Sequence, residues 1–149
     1  MAIEEKQRDF ISYLEQAIKI IGKMGIRIEA FKKGYVKVVL PKEPNVNHIG
    51  TVYAGSLFSL ADYTGGVFFF ATFDHGKYYP ILKAATITFR RPATTDITVE
   101  AVLTPEQVIS IQKTADETGK SDWVMDLELK DTLGNTCAIV SGSFQMRKA

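Results

Sequence analysis

From Thr51 through Phe73 the chain carries one charged side chain, Asp62. A carboxylate drawn into apolar surroundings has to be paired, hydrogen-bonded or neutralised, because desolvating it costs more than the apolar contacts around it return. A carboxyl in that setting has its pKa moved toward working pH and suits general-base or nucleophilic attack on an electrophilic carbonyl. The alternative reading is a structural Asp hydrogen-bonded to a neighbouring strand. Gly50 and Gly55 stand where the same stretch begins. Glycine lets backbone approach a ligand closely, and the first turn of a helix leaves N–H groups unpartnered at the positive end of its dipole. The amides of Ala54 and Gly55 are therefore candidate donors to a developing oxyanion. Asp62 follows about two turns later, so it projects from roughly the face that carries Gly55, Ser59 and Gly66.

Other groups could join this chemistry. Asn47 and His48 lie in the segment leading to the helix, and Tyr53 stands immediately before its glycine. A histidine can act as a base near neutral pH, whereas a phenol donates a hydrogen bond and is a poor base. Each has a simpler reading: Asn47 as a turn residue, His48 as an exposed loop side chain, Tyr53 as a ring lining a pocket. Cys137 is the single cysteine. It excludes an internal disulfide and reads as a small buried thiol in a strand.

The elements that must position these residues follow from periodicity. Phe10, Ile11, Leu14, Ile18 and Ile21 recur at helical spacing among charged residues, which predicts an amphipathic helix from Glu4 to about Gly22. Ile26 to Phe31 and Tyr35 to Leu40, joined by Lys32-Lys33-Gly34, predict a hairpin stopped by Pro41 and Pro44. The central helix carries Leu57, Leu60, Ala61, Thr64 and Phe68 on one side and Phe58, Phe69 and Phe70 on others, so it is expected to be enclosed. Asp74-His75-Gly76-Lys77 ends it in a turn.

Strands resume over Tyr78 to Arg91 and Ile97 to Leu103, with Ala85, Ile87 and Phe89, then Ile97, Val99, Ala101 and Leu103, each marking one face. Thr104-Pro105-Glu106-Gln107 has the pattern of a helix start, running to about Thr118 before Gly119; Val108, Ile109 and Ile111 leave extended structure as the alternative. Trp123 to Lys130 and Thr136 to Met146 form a closing hairpin around Asp131 to Asn135. Meandering strands with one long apolar helix inserted after the first hairpin imply an α+β domain, an antiparallel sheet wrapped on that helix.

The 149 residues suit a single domain, 1–149. Eighteen basic against seventeen acidic residues leave no basic block suited to nucleic acid. No Cys/His cluster has metal spacing, and no cofactor is expected. The charged N-terminus lacks a secretory pattern, which points to a cytoplasmic protein. The run Val52 to Phe73 approaches the length of a membrane span, but a central Asp62, three glycines and several hydroxyls argue against one.

The run Asn47-His48-Ile49-Gly50-Thr51-Val52-Tyr53-Ala54-Gly55, continuing Ser56-Leu57-Phe58-Ser59-Leu60-Ala61-Asp62, resembles the signature of hotdog-fold acyl-CoA thioesterases of the PaaI-like kind. In that signature an Asn, a Gly and then His-Gly-Gly lead into a helix whose Leu-Ala-Asp or Leu-Ala-Glu supplies the catalytic acid. Ile87-Thr88-Phe89-Arg90-Arg91-Pro92-Ala93 is similar to the strand closing in Arg-Pro-Ala that follows the helix in those families. Tyr53-Ala54-Gly55 departs from the pattern, with Tyr where His is usual. The resemblance covers roughly Ile26 to Arg147.

It implies a hotdog fold, a curved antiparallel β-sheet around a long central α-helix, assembled as a homodimer or homotetramer with sites between protomers. An open sheet with unpaired edges and an uncovered convex face independently leads to expecting association. It implies acyl-CoA hydrolysis by Asp62, with Asn47 holding water or the thioester carbonyl and the amides of Ala54 and Gly55 as oxyanion donors. His48, Tyr53, Phe58, Ser59, Arg90 and Arg91 are the expected substrate contacts, the arginines with Lys77 and Lys83 toward phosphates. The rivals are a non-catalytic module binding acyl-CoA or another apolar ligand, and a hotdog dehydratase or hydratase, for which His48 and His75 are the only histidines.

Overall fold

The computed structural model describes residues 5–149. Two helices, α1 (Glu5–Ala17) and α2 (Lys19–Met24), precede the hairpin β1 (Arg27–Lys32) and β2 (Tyr35–Leu40). A loop containing a 3₁₀ turn at Glu43–Asn45 leads to the central helix α3 (Ala54–Thr72). Then come β3 (Tyr78–Phe89), β4 (Ile97–Val102), α4 (Pro105–Thr118), β5 (Lys120–Lys130) and β6 (Thr136–Lys148). The strands form one six-stranded sheet in the order β1-β2-β4-β5-β6-β3, every pairing antiparallel. With α3 packed against it, this is the hotdog arrangement, as expected.

The closing hairpin holds its register from Lys120 opposite Arg147 to Leu129 opposite Ala138 and shifts before Lys130 opposite Thr136, and β3 lies along the far side of β6 from Tyr78 opposite Lys148 to Phe89 opposite Ala138, with a shift between Leu82 and Ala84. Alternation along β5 buries Ser121, Trp123, Met125, Leu127 and Leu129 and exposes their neighbours. The buried set meets Leu60, Val67, Phe68 and Phe69 of α3, all 1 % exposed or less. Trp123, the single tryptophan, stacks on Phe144 with ring centres 5.6 Å apart and lies 5.2 Å from Phe73. Its indole N–H has no acceptor among the described residues.

The amphipathic N-terminal segment is two helices rather than one, and Glu4 lies outside the described residues. The chain breaks at Ile18, whose backbone is extended at φ −101° and ψ 111°. The Leu14 carbonyl, which a continuous helix would offer to the Ile18 amide, accepts from the buried Tyr63 hydroxyl at 2.8 Å. The bend turns Ile21 into the core and leaves Ile18 and Ile20 outside.

Helix α4 forms where expected. Thr104 accepts from the Gln107 amide at 3.2 Å, Gln107 accepts from the Thr104 amide at 2.9 Å, and Gly119 ends the helix at φ 86°. This capping box favours helix over the extended alternative.

Candidate functional site

The entry to α3 is held by a network of short bonds. Asn45, buried, donates from its side chain to the carbonyls of Met24 and Pro41, both at 2.8 Å, and its own carbonyl accepts from the Tyr53 amide. The Asn47 side-chain oxygen accepts from the Ile49 and Thr51 amides, and its nitrogen donates to the Thr51 hydroxyl at 2.9 Å. Most of the hydrogen-bonding capacity of Asn47 is thus engaged within the loop, with Gly50 supplying the left-handed φ of 84° that the turn requires. The Val52 amide donates to the carbonyl of Ala93 at 2.8 Å, and Ala93 is buried. The Pro92-Ala93 segment after β3 therefore clamps the helix entrance.

Tyr53 caps α3 without a side-chain hydrogen bond. The Ser56 and Leu57 amides donate to the Tyr53 carbonyl at 3.0 and 3.2 Å, while those of Ala54 and Gly55 have no acceptor among the described residues. The Tyr53 ring lies across Gly55: a Cβ placed there would stand 2.4 Å from it. The small residue and the ring fit together at the helix start.

One stripe of α3 is left uncovered by the rest of the chain. Asp62 is exposed, and Gly55, Ser59 and Gly66 are partly exposed, while Leu60, Ala61, Tyr63, Thr64 and Gly65 are buried. Seven and four positions separate these open residues (55 to 62, 62 to 66), which puts them on one line along the helix. The Ser59 hydroxyl is occupied by a bond to the Gly55 carbonyl at 2.9 Å.

Asp62 borders a cavity of about 400 Å³ between α1, α3 and the β3–β6 part of the sheet. The walls are aliphatic and aromatic, including Tyr13, Ile18, Phe70, Leu82 and Phe144, and Asp62 is the one charged residue among them. It makes no hydrogen bond or ion pair with any described residue. Solvent reaches the carboxyl, yet the apolar walls remove enough water to raise its pKa above the ordinary carboxylate value, desolvation being the sole cause. An unpaired carboxyl in this setting is available to take a proton or attack a carbonyl.

The remaining expected contacts are dispersed. Ala54 and Gly55 do not line this cavity, nor do His48, Tyr53, Phe58, Arg90 or Arg91. His48 is exposed in the loop. His75 stacks on Phe10 at 5.2 Å and lies 5.6 Å from Phe70. Arg90 and Arg91 follow β3, their amides donating to the Cys137 carbonyl; Asp131 is held below its ordinary pKa first by the hydrogen bond from the Asn135 amide, with the charge of Arg91 a smaller addition. Tyr13, on α1, and Ile18, at the break after it, were not among the expected contacts: the apolar stripe of the N-terminal segment already accounted for Ile18, and Tyr13 stands outside that stripe.

Among the described residues no cluster of His, Cys, Asp or Glu could hold a metal, and no helix is long and apolar enough to cross a membrane.

Comparison with known proteins agrees with this architecture. The domain of unknown function DUF4442 matches residues 7–147, and the chain belongs to that family. A solved structure of a Pseudomonas aeruginosa protein of unknown function, described as a probable thioesterase, is 37 % identical with a TM-score of 0.90, covering 100 % of this chain and 99 % of that one. A Haemophilus influenzae thioesterase, 14 % identical, has the same fold at a TM-score of 0.71 over 93 % of this chain and 90 % of its own. The search of curated proteins finds no match.

Proposed function

We propose that this protein hydrolyses acyl-CoA thioesters. The observation that carries the reading is Asp62: an unpaired carboxyl with a raised pKa at the wall of an apolar cavity. The similarity to a probable thioesterase supports it. Asp62 takes a proton from water as the water oxygen attacks the thioester carbonyl carbon. The tetrahedral oxyanion collapses, the C–S bond breaks, the thiolate leaves with the proton, and free acid and CoA result. Direct attack by the carboxylate would give an anhydride that water then opens to the same products.

The oxyanion donors are the amides of Ala54 and Gly55, and geometry constrains whose they are. Seven residues of helix rise roughly 10 Å, whereas the base and the donors must each reach about 3 Å from the reacting group. One α3 cannot serve both ends of a single carbonyl. The edge strand β3 offers the solution: among the described residues it pairs only with β6, and Lys83 to Thr86 are exposed. Two copies joined antiparallel through β3 would continue the sheet and lay Asp62 of one protomer near the leading amides of the other.

Asp62→Ala should lower thiol release on the order of 10²- to 10⁴-fold with the fold intact by circular dichroism; unchanged turnover would sink the proposal. Complementation tests the shared site. Ala54→Pro removes an amide at the first helical position, where proline is tolerated and the extended backbone of Tyr53 can precede it. Mixed with Asp62→Asn, it should restore activity, because one of the two sites then has a native Asp62 facing a native Ala54. A site confined to one chain gives no recovery. The position of the Tyr53 ring across Gly55 favours, as the second reading, a module that binds acyl-CoA without cleaving it; tight binding with no thiol release across a chain-length panel would establish that instead.

A further inference from the structure

Gly66 lies one turn beyond Asp62 on the open stripe and lines the same cavity. Glycine inside a helix is less stable than alanine, so its presence asks for a cause. Its backbone is helical and its φ is not positive, which removes the conformational reason. Packing does not supply one either: a Cβ built on Gly66 meets nothing within 4 Å. At the adjacent Gly65 the same Cβ would come within 2.0 Å of the Phe144 ring, so that glycine is demanded by the core. What Gly66 leaves bare is cavity, beside the Asp62 carboxyl.

The rest of the wall indicates what fills this space. Apart from Asp62 it holds no charge, and the Tyr63 hydroxyl is engaged by the Leu14 carbonyl. A ligand carrying a second carboxylate or a phosphate would be desolvated there with no cation to meet it and the Tyr13 hydroxyl as its one free side-chain donor among the described residues. An uncharged hydrocarbon group would exchange water for Ile18, Phe70 and Leu82, and each methylene buried adds to affinity.

We infer that this cavity receives the apolar acyl group of the substrate and that Gly66 sets how much of it fits. The inference rests on the thioesterase reading for the role of Asp62. With the reacting carbonyl at Asp62, the acyl chain runs along α3 across Gly66, and a side chain there occupies the chain's path.

The test uses the full-length protein, Gly66→Ala and Gly66→Val. Binding of non-hydrolysable acyl-CoA thioethers with short, medium and long chains is measured by calorimetry, alongside thiol release from the matching thioesters. Gly66→Ala should melt no lower than the native protein, yet lose roughly tenfold or more in affinity for medium and long chains. Gly66→Val should lose more, and short chains should be spared in both. An unchanged chain-length profile in the two variants overturns the inference. So does an equal loss at every length accompanied by dissociation of the oligomer on gel filtration, which would make Gly66 a contact between copies. Failure of the native protein to bind any apolar thioether overturns it as well. Binding with the expected profile but no thiol release leaves the inference standing and removes the hydrolase reading.

Discussion

The two sides of α3 obey different rules. Toward the sheet, Leu60, Ala61, Thr64 and Phe68 are 1 % exposed or less, and even the Thr64 hydroxyl is returned to the Leu60 carbonyl at 2.7 Å. On the opposite stripe, Gly55, Ser59, Asp62 and Gly66 are left open, and the carboxyl among them has no partner among the described residues. The adjacent glycines condense the contrast, one fixed by the ring of Phe144 and the other with open space where a side chain would stand. Close packing on one side gives the helix its place, so that the other side can hold a charged group and empty space that no packing argument requires.

The largest expected effect lies on the packed side. Gly65→Ala forces a methyl into Phe144, which is 3 % exposed and wedged against Trp123, and should destabilise by about 1–3 kcal/mol or more in denaturant titration. A loss under about half a kcal/mol would mean that the core yields as easily as the open stripe.

The next effect sharpens the contrast through pH. Because the pKa of Asp62 is raised in the folded chain, the native state binds more protons than the unfolded one between the ordinary carboxyl pKa and the raised value. Stability contributed by the protonated group is therefore present below that window and lost as pH rises through it. Asp62→Asn lacks this term. Its stability relative to the native chain should climb across the window and level off on either side, as read from denaturation midpoints over a pH series. A difference that is flat with pH would show that the carboxyl is not desolvated. The acidic limb of turnover should likewise sit above the ordinary carboxyl pKa.

The smallest effect is expected at Ser59. Its hydroxyl only returns to its own helix, a bond that contributes little in this geometry, so Ser59→Ala should shift stability by no more than about 0.5 kcal/mol by thermal melting. A larger loss would give the open stripe a structural role.

How much of this was readable before the fold was known varied with distance along the chain. The apolar run of α3, the Thr104 capping box and the closing hairpin rest on residues within a few positions of one another, and local patterns reported them. The break at Ile18 depends on the Tyr63 hydroxyl meeting Leu14 from 49 positions away, so helical periodicity ran through it unmarked. Likewise Gly65 and Gly66 are indistinguishable in one dimension, since the difference between them is made by Phe144 in the last strand. Asp62 stood out as the single charge of its run, but its walls come from α1 and from the β3–β6 edge, which no local pattern joins to it. Asn47 shows the converse: its side chain organises the loop from Asn47 to Thr51, the turn role that its position already suggested.

Trp123 gives the molecule an optical reporter of its own. The only indole in the chain lies face to face with Phe144, and Phe144 forms part of the hollow beside Asp62. With its N–H lacking a local acceptor, the emission of that indole should respond to small shifts of the neighbouring ring and to the arrival or departure of nearby water. A guest entering the hollow should therefore alter the intrinsic fluorescence without any label being attached.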